Sequence, residues 1–270
     1  MDKILVIVIN SGTERSSPLI KQLSSREELE IHSIAAHMLR TEADLQLAGI
    51  QYSDLEAVKY MGRSLSFPEI GCASSHNYAR SLLASSANGG VILEDDARIC
   101  DLDYFVTLSS VFLSSQENSP AVLNLSNSLP LIDTCSGPQE NDLYLARRFS
   151  PTPLAVGYVI TSLGAGKLLS NNNPIQYVSD WPAKGVSFFS AGHGLVHHGD
   201  SQTQSTIDPA QASKRNVRSY KRSLFILLGI DFLHHVVKFG IDFSYFQKVW
   251  WMTFSHKVSF LRGFRHYVNR

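Results

Sequence analysis

The chain has 270 residues, of which 44% are hydrophobic and 18% charged, and its 24 Lys and Arg balance 24 Asp and Glu. This length and apolar content allow a sizeable core and exclude disorder as the dominant state. The three cysteines, Cys72, Cys100 and Cys135, are too few and too widely spaced for a disulfide framework or a cysteine-based zinc site. Their odd number favours a reducing compartment.

The neutral total hides a segregation of charge along the chain. Residues 214–270 carry 11 Lys and Arg against 2 Asp and Glu, a balance of +9, whereas residues 1–213 carry 13 against 22, a balance of −9. The last 57 residues also hold 13 of the 27 aromatic residues. We therefore predict two parts, a domain over 1–213 and a basic, aromatic-rich amphipathic helical region over 214–270.

Short apolar runs alternate with helical patterns in the first part. Strands are predicted at 4–9, 29–35, 91–93, 121–125, 143–147 and 155–160, and helices at 18–26, 42–48, 66–86, 102–113 and 162–169. The third helix has a typical N-terminal signal, because Ser66 is followed by a proline in the first turn and by Glu69 three residues on. The alternation predicts an α/β domain with a mostly parallel central sheet.

Three consecutive carboxylates, Glu94, Asp95 and Asp96, directly follow the predicted strand at 91–93. Open α/β sheets place ligand sites at this end of a strand, and hard oxygen ligands favour Mg²⁺ or Mn²⁺ shared with substrate phosphates. In an extended segment Glu94 and Asp96 would point one way and Asp95 the other. The alternative is a solvated acidic turn.

Two motifs together resemble the signature of glycosyltransferase family 25, which holds lipooligosaccharide galactosyltransferases and other lipopolysaccharide-modifying enzymes. They are Glu-Ile-Gly-Cys-Ala-Ser-Ser-His at 69–76 and Val-Ile-Leu-Glu-Asp-Asp at 91–96. Further similarity lies in Val-Ile-Asn at 8–10 with Glu14 and Arg15, in Gly-Tyr-Val-Ile at 157–160 with Gly164 and Ala165, and in the pair Asp180 and Trp181. The resemblance covers about residues 4–207 and leaves the tail unexplained.

This resemblance implies a GT-A-like nucleotide-sugar-binding fold and a divalent metal, Mn²⁺ or Mg²⁺. In this chain Asp96 matches the direct metal ligand, while Glu94 and Asp95 would orient the ribose or complete the metal shell. A metal that bridges the donor phosphates would stabilise the charge developing on the leaving nucleoside diphosphate.

Three further residues are candidates for donor binding. Asn10 and Arg15 flank the loop after the first strand, and Arg15 would pair with a phosphate or pack along the base unless it is simply a surface arginine. His76 shares a predicted helix face with Cys72 and Leu83, and a histidine on an apolar stripe is more often a hydrogen-bonded core residue than a catalyst. We expect His76 to brace the donor loop.

Two more residues are candidates for catalysis and metal binding. Asp180 lies beside Trp181, which would stack on a sugar ring, and Asp180 is our candidate for the base that takes the acceptor proton; an Asx-turn is the alternative. His198 follows the last core strand and is the candidate second metal ligand. The histidines at 193, 197 and 198 would otherwise line the acceptor cleft.

The tail has two interpretations. Its basic run at 214–222 and its tryptophans Trp250 and Trp251 suit an interfacial helix on an anionic membrane, where each Lys or Arg contributes about 1 kcal/mol. Alternatively, it packs as a helical subdomain on the first domain or on another copy of the chain, which would make a homo-oligomer. Nucleic-acid binding fits the large apolar content less well.

Together these observations predict a metal-dependent hexosyltransferase that uses a UDP-sugar, of galactose or glucose, and a lipid-linked glycan such as lipooligosaccharide, with inversion. The start, Met-Asp-Lys, does not resemble a signal peptide. The sequence contains no uncharged apolar run of about 18 residues, so no membrane-spanning helix is expected. The expected location is cytoplasmic, peripheral on the inner face of a bacterial inner membrane. The alternative function is a non-catalytic, membrane-associated glycan-binding or scaffold protein that retains the fold.

Overall fold

The computed structural model describes residues 3–12, 16–61, 63–126, 145–148, 155–179, 185–191 and 195–198. All of them lie in the first of two units into which the chain divides, Met1–Ile207. The predicted boundary at 213/214 and the predicted C-terminal helical region lie outside the described residues and stay predictions. Within the described part of the chain, no helix combines the length and the apolar character needed to cross a membrane.

The described residues form nine strands and six helices. The strands are β1 Ile4–Asn10, β2 Leu29–Ala35, β3 Gly90–Glu94, β4 Ala97–Ile99, β5 Ala121–Asn124, β6 Leu145–Arg148, β7 Gly157–Ile160, β8 Ser187–Ala191 and β9 Val196–His198. The helices are α1 Ser16–Leu23, α2 Glu42–Leu47, α3 Asp54–Met61, α4 Phe67–Ala84, α5 Leu102–Ser115 and α6 Ser162–Asn171.

A seven-stranded sheet with the order β2-β1-β3-β7-β5-β8-β6 forms the centre of the described residues. The strands β2, β1 and β3 pair in parallel, as do β5 and β8. Strand β7 runs antiparallel to its neighbours β3 and β5, and β6 runs antiparallel to β8. Five of these seven described strands therefore run in one direction, which confirms the predicted mixed α/β domain with a mostly parallel sheet.

Helices cover both faces of this sheet, which explains why β1 is an unbroken apolar run. Val6 and Val8 pack in one core cluster with residues of α1 and α5, while Ile7 and Ile9 pack in a second cluster with residues of α4 and α6. Successive side chains of a strand point to opposite faces, so a strand between two helical layers needs apolar residues at every position. The result is a three-layer α/β/α arrangement.

Most of the predicted elements are confirmed, with ends that shift by a few residues. Four elements were not predicted. Helix α3 lies in a polar stretch of weak periodicity, β4 and β9 have three residues each, and β8 contains two serines among its five residues. Strand β3 continues to Glu94, so the first carboxylate of the acidic group belongs to the strand.

Helix α4 begins at the predicted position, and Glu69 holds its first turn. One carboxylate oxygen of Glu69 accepts hydrogen bonds from the backbone N–H and the hydroxyl of Ser66, both at 2.9 Å. Arg63 donates to both carboxylate oxygens, at 2.8 and 2.6 Å. Burial acts to raise the pKa of Glu69, but the hydrogen bonds from Arg63 and Ser66 and the charge of Arg63 outweigh it and hold the pKa below its ordinary value.

Gly71 lets α4 lie directly against the chain that leaves β2. A Cβ atom at Gly71 would lie 2.1 Å from the backbone carbonyl oxygen of His37. Two serines of α4 secure the same contact, because the Ser75 hydroxyl accepts from the His37 N–H and the Ser74 hydroxyl contacts the His37 Nδ1, both at 2.8 Å. The glycine of the 69–76 motif is therefore required by packing.

Replacing Gly71 by alanine should lower the free energy of unfolding by about 1–3 kcal/mol, because overlap with a backbone atom outweighs the gain in helix propensity of about 1 kcal/mol. Gly166 in α6 is the matched control, since a Cβ there would meet only the Ala84 Cβ, at 3.9 Å. Gly166→Ala should stabilise the protein by up to about 1 kcal/mol. Urea unfolding measures both variants, and a Gly71→Ala protein as stable as the wild type would contradict the close approach.

Replacing Glu69 by glutamine should lower the free energy of unfolding by about 1–2 kcal/mol at pH 7. A carboxylate whose folded-state pKa is depressed contributes stability above its unfolded pKa, and that stability is lost as the pH falls through the folded pKa. The difference from wild type should therefore shrink below about pH 4, as measured by urea unfolding at several pH values.

The control for this measurement is Glu56→Gln, which removes a surface ion pair with Lys59 at 2.9 Å. That change should cost less than about 0.5 kcal/mol at any pH. An effect of Glu69→Gln that is the same at pH 7 and at about pH 3 would show that the charge of Glu69 does not contribute.

Candidate functional site

The candidate site lies at the carboxyl ends of β1 and β3. The chain runs from β1 outward to β2 and then returns to β3 on the other side of β1, so the strand order reverses between β1 and β3. Open α/β sheets bind ligands at such a switch point. Asn10 and Ser11 close β1 here, and Glu94 and Asp95 close β3, with Ile9 paired to Glu94 across the two strands.

Asp95 joins the ends of these two strands. It is 9% exposed, and its Oδ2 accepts hydrogen bonds from the Ser11 backbone N–H, at 2.9 Å, and from the Ser11 hydroxyl. The Asn10 side chain shapes the same loop, since its Oδ1 accepts from the Gly12 N–H at 2.9 Å, and Gly12 has the positive φ of +83° that glycine favours. The first residues after β1, Ser11 and Gly12, are therefore held at the end of β3.

Glu94 contacts α4 and β7 through a buried histidine. His76 is 1% exposed, its Nε2 lies 3.1 Å from Glu94 Oε1, and its Nδ1 lies 3.0 Å from the Tyr158 hydroxyl. Both nitrogens of this core histidine thus have polar partners, as a buried imidazole requires. Asp95 and Asp96 lie in a turn between β3 and β4, so the alternation expected of an extended segment ends at Glu94.

The polar contacts continue from Tyr158 to the segment before Asp180. The guanidinium carbon of Arg80, a residue that is 2% exposed, lies 5.8 Å from the centroid of the Tyr158 ring. Arg80 also donates to the backbone carbonyl of Ser179, at 2.7 Å. Burial raises the pKa of Tyr158, with the positive charge of Arg80 acting against it. The end of β3 and the segment that leads to Asp180 are therefore connected through buried side chains.

A second, two-stranded sheet relates Asp96 to His198. Strand β4 begins directly after Asp96 and pairs antiparallel with β9, with Ala97 opposite His198. This register places the backbone of His198 across from the residue next to Asp96. His197, the neighbouring residue, is exposed.

The structure brings five of the candidate residues to one edge of the sheet, namely Asn10, His76, Glu94, Asp95 and Asp96. The side chain of His198 lies outside the described residues, as do Arg15 and Asp180. Sequence reasoning missed Ser11, Tyr158 and Arg80 as contributors. Their signals were slight: a serine in a turn, a tyrosine in a short apolar strand, and an arginine four residues after His76 on the same helix.

Two groups of side chains at this edge have the chemistry to hold a cation. The carboxylates of the β3–β4 turn are hard oxygen ligands, which suit Mg²⁺ or Mn²⁺ together with phosphates. A second group in the described residues combines a thiol, an imidazole and a carboxylate, from Cys72, His76 and Glu94, with one ligand atom of each within 4.8 Å of the others.

The chain matches the model of glycosyltransferase family 25 (LPS biosynthesis protein) over residues 1–181, two-thirds of its length. The matched range contains β1, α4, β3 and β7, which supply the described contacts of the site. No curated protein sequence matches the chain. The chain therefore belongs to glycosyltransferase family 25, a family of lipopolysaccharide biosynthesis proteins, and this membership supports a sugar-transferring activity on a glycan acceptor.

Proposed function

We propose that the protein is a metal-dependent hexosyltransferase with a GT-A-like fold that transfers galactose or glucose from a UDP-sugar to a lipid-linked glycan such as lipooligosaccharide, with inversion. The observation that carries this proposal is the group of carboxylates Glu94, Asp95 and Asp96 at the switch point of the sheet. A nucleoside diphosphate leaves as a polyanion, so a donor site at this edge needs a cation beside the carboxylates.

Asp96 and His198 are the residues we assign to the metal, Mn²⁺ or Mg²⁺. Support for His198 comes from the register of β4 and β9, in which Ala97 pairs with His198. An imidazole next to a carboxylate suits Mn²⁺ better than Mg²⁺, which prefers oxygen ligands alone. When bound, the cation would neutralise the charge that develops on the diphosphate.

The remaining residues of the switch point bind and orient the donor. Glu94 accepts a hydrogen bond from a ribose hydroxyl, and His76 orients the Glu94 carboxylate. The 3.1 Å contact between His76 Nε2 and Glu94 Oε1 supports this role. Asp95 holds Ser11 at the end of β1, and we assign Asn10 and Arg15, on either side of this turn in the sequence, to contacts with the nucleotide. The planar guanidinium of Arg15 suits both a phosphate and a base.

Asp180 acts as the catalytic base. It accepts the proton of the acceptor hydroxyl while the hydroxyl oxygen attacks the anomeric carbon and the bond from that carbon to the UDP oxygen breaks. Support for its position comes from the residue before it, because the carbonyl of Ser179 is held by the buried guanidinium of Arg80. A base must lie within hydrogen-bond reach of the proton it takes, so the peptide that carries it has to be fixed.

Residues 214–270 bring the enzyme to its lipid-linked acceptor. Their balance of 11 basic against 2 acidic residues attracts the anionic inner face of a bacterial inner membrane, and their aromatic residues suit the headgroup region. The protein is then peripheral and cytoplasmic. If the same region pairs two copies of the chain, it forms a homo-oligomer instead.

UDP release from a panel of UDP-sugars, with Mn²⁺ and a lipooligosaccharide acceptor, tests the enzymatic proposal. One hexose donor should release UDP, and Asp96→Asn should lower kcat at least about 100-fold, because the charge on the leaving diphosphate loses its cation. The control Asp103→Asn on α5, where the side chain is 79% exposed, should leave kcat unchanged. No release with any donor would overturn the enzymatic proposal in favour of a glycan-binding or scaffold protein.

Vesicle sedimentation tests the membrane proposal on the full chain. Replacing the basic residues at 214, 215, 218, 221 and 222 by glutamine removes five charges, each worth about 1 kcal/mol near an anionic surface. Binding to phosphatidylglycerol vesicles should weaken about 100-fold or more, while binding to neutral phosphatidylcholine vesicles should be weak for both proteins. Equal pelleting of wild type and variant with phosphatidylglycerol would contradict membrane attachment through this region.

A further inference from the structure

Cys72, His76 and Glu94 place a thiol, an imidazole and a carboxylate beside the switch point. Cys72 and His76 lie four residues apart on α4, a spacing that puts both side chains on one face of the helix, and Glu94 ends the neighbouring strand β3. One ligand atom of each lies within 4.8 Å of the others. Neither partner of Glu94 in this cluster belongs to the metal ligands proposed above, Asp96 and His198.

We propose that these three side chains form a second cation site, selective for a thiophilic divalent ion of the Zn²⁺ class. Thiolate and imidazole ligands favour Zn²⁺, whereas Mn²⁺ and Mg²⁺ favour carboxylate, carbonyl and water oxygens. Three protein ligands leave the fourth tetrahedral position to water, as in catalytic zinc sites, whereas structural zinc sites have four protein ligands. The site therefore differs in ion preference from the carboxylate site at Asp96.

The distance between two of the three ligand atoms is close to that around a tetrahedral ion. Zinc bonds of about 2.3 Å to sulfur and 2.0–2.2 Å to nitrogen and oxygen set the ligand atoms about 3.4–3.6 Å apart. The 3.1 Å between His76 Nε2 and Glu94 Oε1 is already close to this spacing. The Cys72 sulfur contacts the Ser179 hydroxyl at 3.5 Å and lies within 4.8 Å of the other two ligand atoms, so ion binding requires it to turn from Ser179 toward the imidazole. Cys72 is half-buried, so the cluster is not sealed from solvent.

Tyr158 supplies the outer partner that a metal-binding histidine requires. The second ring nitrogen of such a histidine usually donates to an oxygen, which fixes the tautomer and the ring orientation. His76 Nδ1 lies 3.0 Å from the Tyr158 hydroxyl, and the two rings stack at 5.8 Å. On binding, the Cys72 thiol releases its proton to solvent. The imidazole exchanges the proton on Nε2, which faces the Glu94 carboxylate, for one on Nδ1, so that Nε2 binds the ion and Nδ1 donates to the Tyr158 hydroxyl oxygen.

Occupation of this site would withdraw Glu94 from the donor. This consequence rests on the proposed function, in which Glu94 accepts a ribose hydroxyl, because one carboxylate cannot hold the ribose and the ion in the same geometry. Zinc would then compete with the UDP-sugar for Glu94, while the ion at Asp96 would stay in place. Zinc binding itself does not depend on the enzymatic proposal.

Co²⁺ is the spectroscopic probe for this site, because a cobalt–thiolate bond gives a charge-transfer band in the near ultraviolet and binding to carboxylates alone does not. The full chain, freed of metal with a chelator, should develop this band with one equivalent of Co²⁺. Cys72→Ser should abolish the band and weaken Co²⁺ binding at least about 100-fold, more than the loss of an outer partner costs. The matched variant with both Cys100→Ser and Cys135→Ser should keep the band.

Two further measurements distinguish this site from the metal site proposed at Asp96. Asp96→Asn should keep the band, and equimolar Zn²⁺ but not Mn²⁺ should remove it. The proposal is overturned if the wild type gives no band, if the band survives Cys72→Ser in protein of unchanged urea midpoint, or if Asp96→Asn or equimolar Mn²⁺ removes it. None of these outcomes depends on UDP release, so either proposal can fail without the other.

Discussion

Three successive carboxylates at the end of a buried strand repel one another, and two of them, Glu94 and Asp95, have polar partners on other elements of the fold. Asp95 accepts two hydrogen bonds from Ser11, which draws the loop after β1 onto β3. Glu94 contacts the imidazole of His76, whose other nitrogen contacts Tyr158. Charges buried in a protein need partners with good geometry, and Glu94 and Asp95 find theirs on different elements, α4 and the loop after β1. The same contacts that relieve repulsion between Glu94 and Asp95 therefore build the site.

Helix α4 connects this site to the rest of the domain. Its first turn is held by Glu69 and Arg63, and Gly71 lets its backbone lie against the carbonyl of His37. Once the helix is seated there, one turn further on His76 reaches Glu94, and the next turn brings Arg80 to the carbonyl of Ser179. The motif at 69–76 thus combines capping, close packing and a polar contact within eight residues. A substitution at Glu69, Gly71 or His76 would therefore disturb helix capping, backbone packing or a hydrogen bond, respectively.

The position and direction of β7 determine where Tyr158 lies relative to α4 and the end of β3. Because β7 runs antiparallel between β3 and β5, its first residues lie beside the last residues of β3, with Gly157 opposite Leu93. Tyr158 is therefore carried to the carboxylate end of the sheet on the face where α4 packs. A parallel strand at the same place would have put its first residues at the opposite edge. The antiparallel direction of β7 is therefore what brings Tyr158 into contact with His76 and Arg80.

Local signals in the amino-acid sequence determined much of this protein. The β-branched run of β1, the Ser66 and Glu69 spacing at the start of α4, and the carboxylates after a short apolar strand all depend on neighbouring residues, so periodicity and capping predict them. The family follows from two such local motifs taken together. Asn10, His76, Glu94, Asp95 and Asp96 were chosen as candidates from such motifs, and the structure brings them to one edge of the sheet.

Only the tertiary structure decided the strand order, the direction of β7 and the partners of each polar side chain. Ser11 and Asp95 are 84 residues apart, His76 and Tyr158 are 82 apart, and Arg80 and Ser179 are 99 apart. The short strands β4 and β9, which place His198 opposite Ala97, are likewise formed by a distant partner. The cysteine number and spacing in the sequence predicted no zinc site built from several cysteines. The cluster of Cys72 with His76 and Glu94 has a single cysteine and forms only because a helix and a strand pack together. Contacts of this kind arise from packing between elements, which no local period encodes.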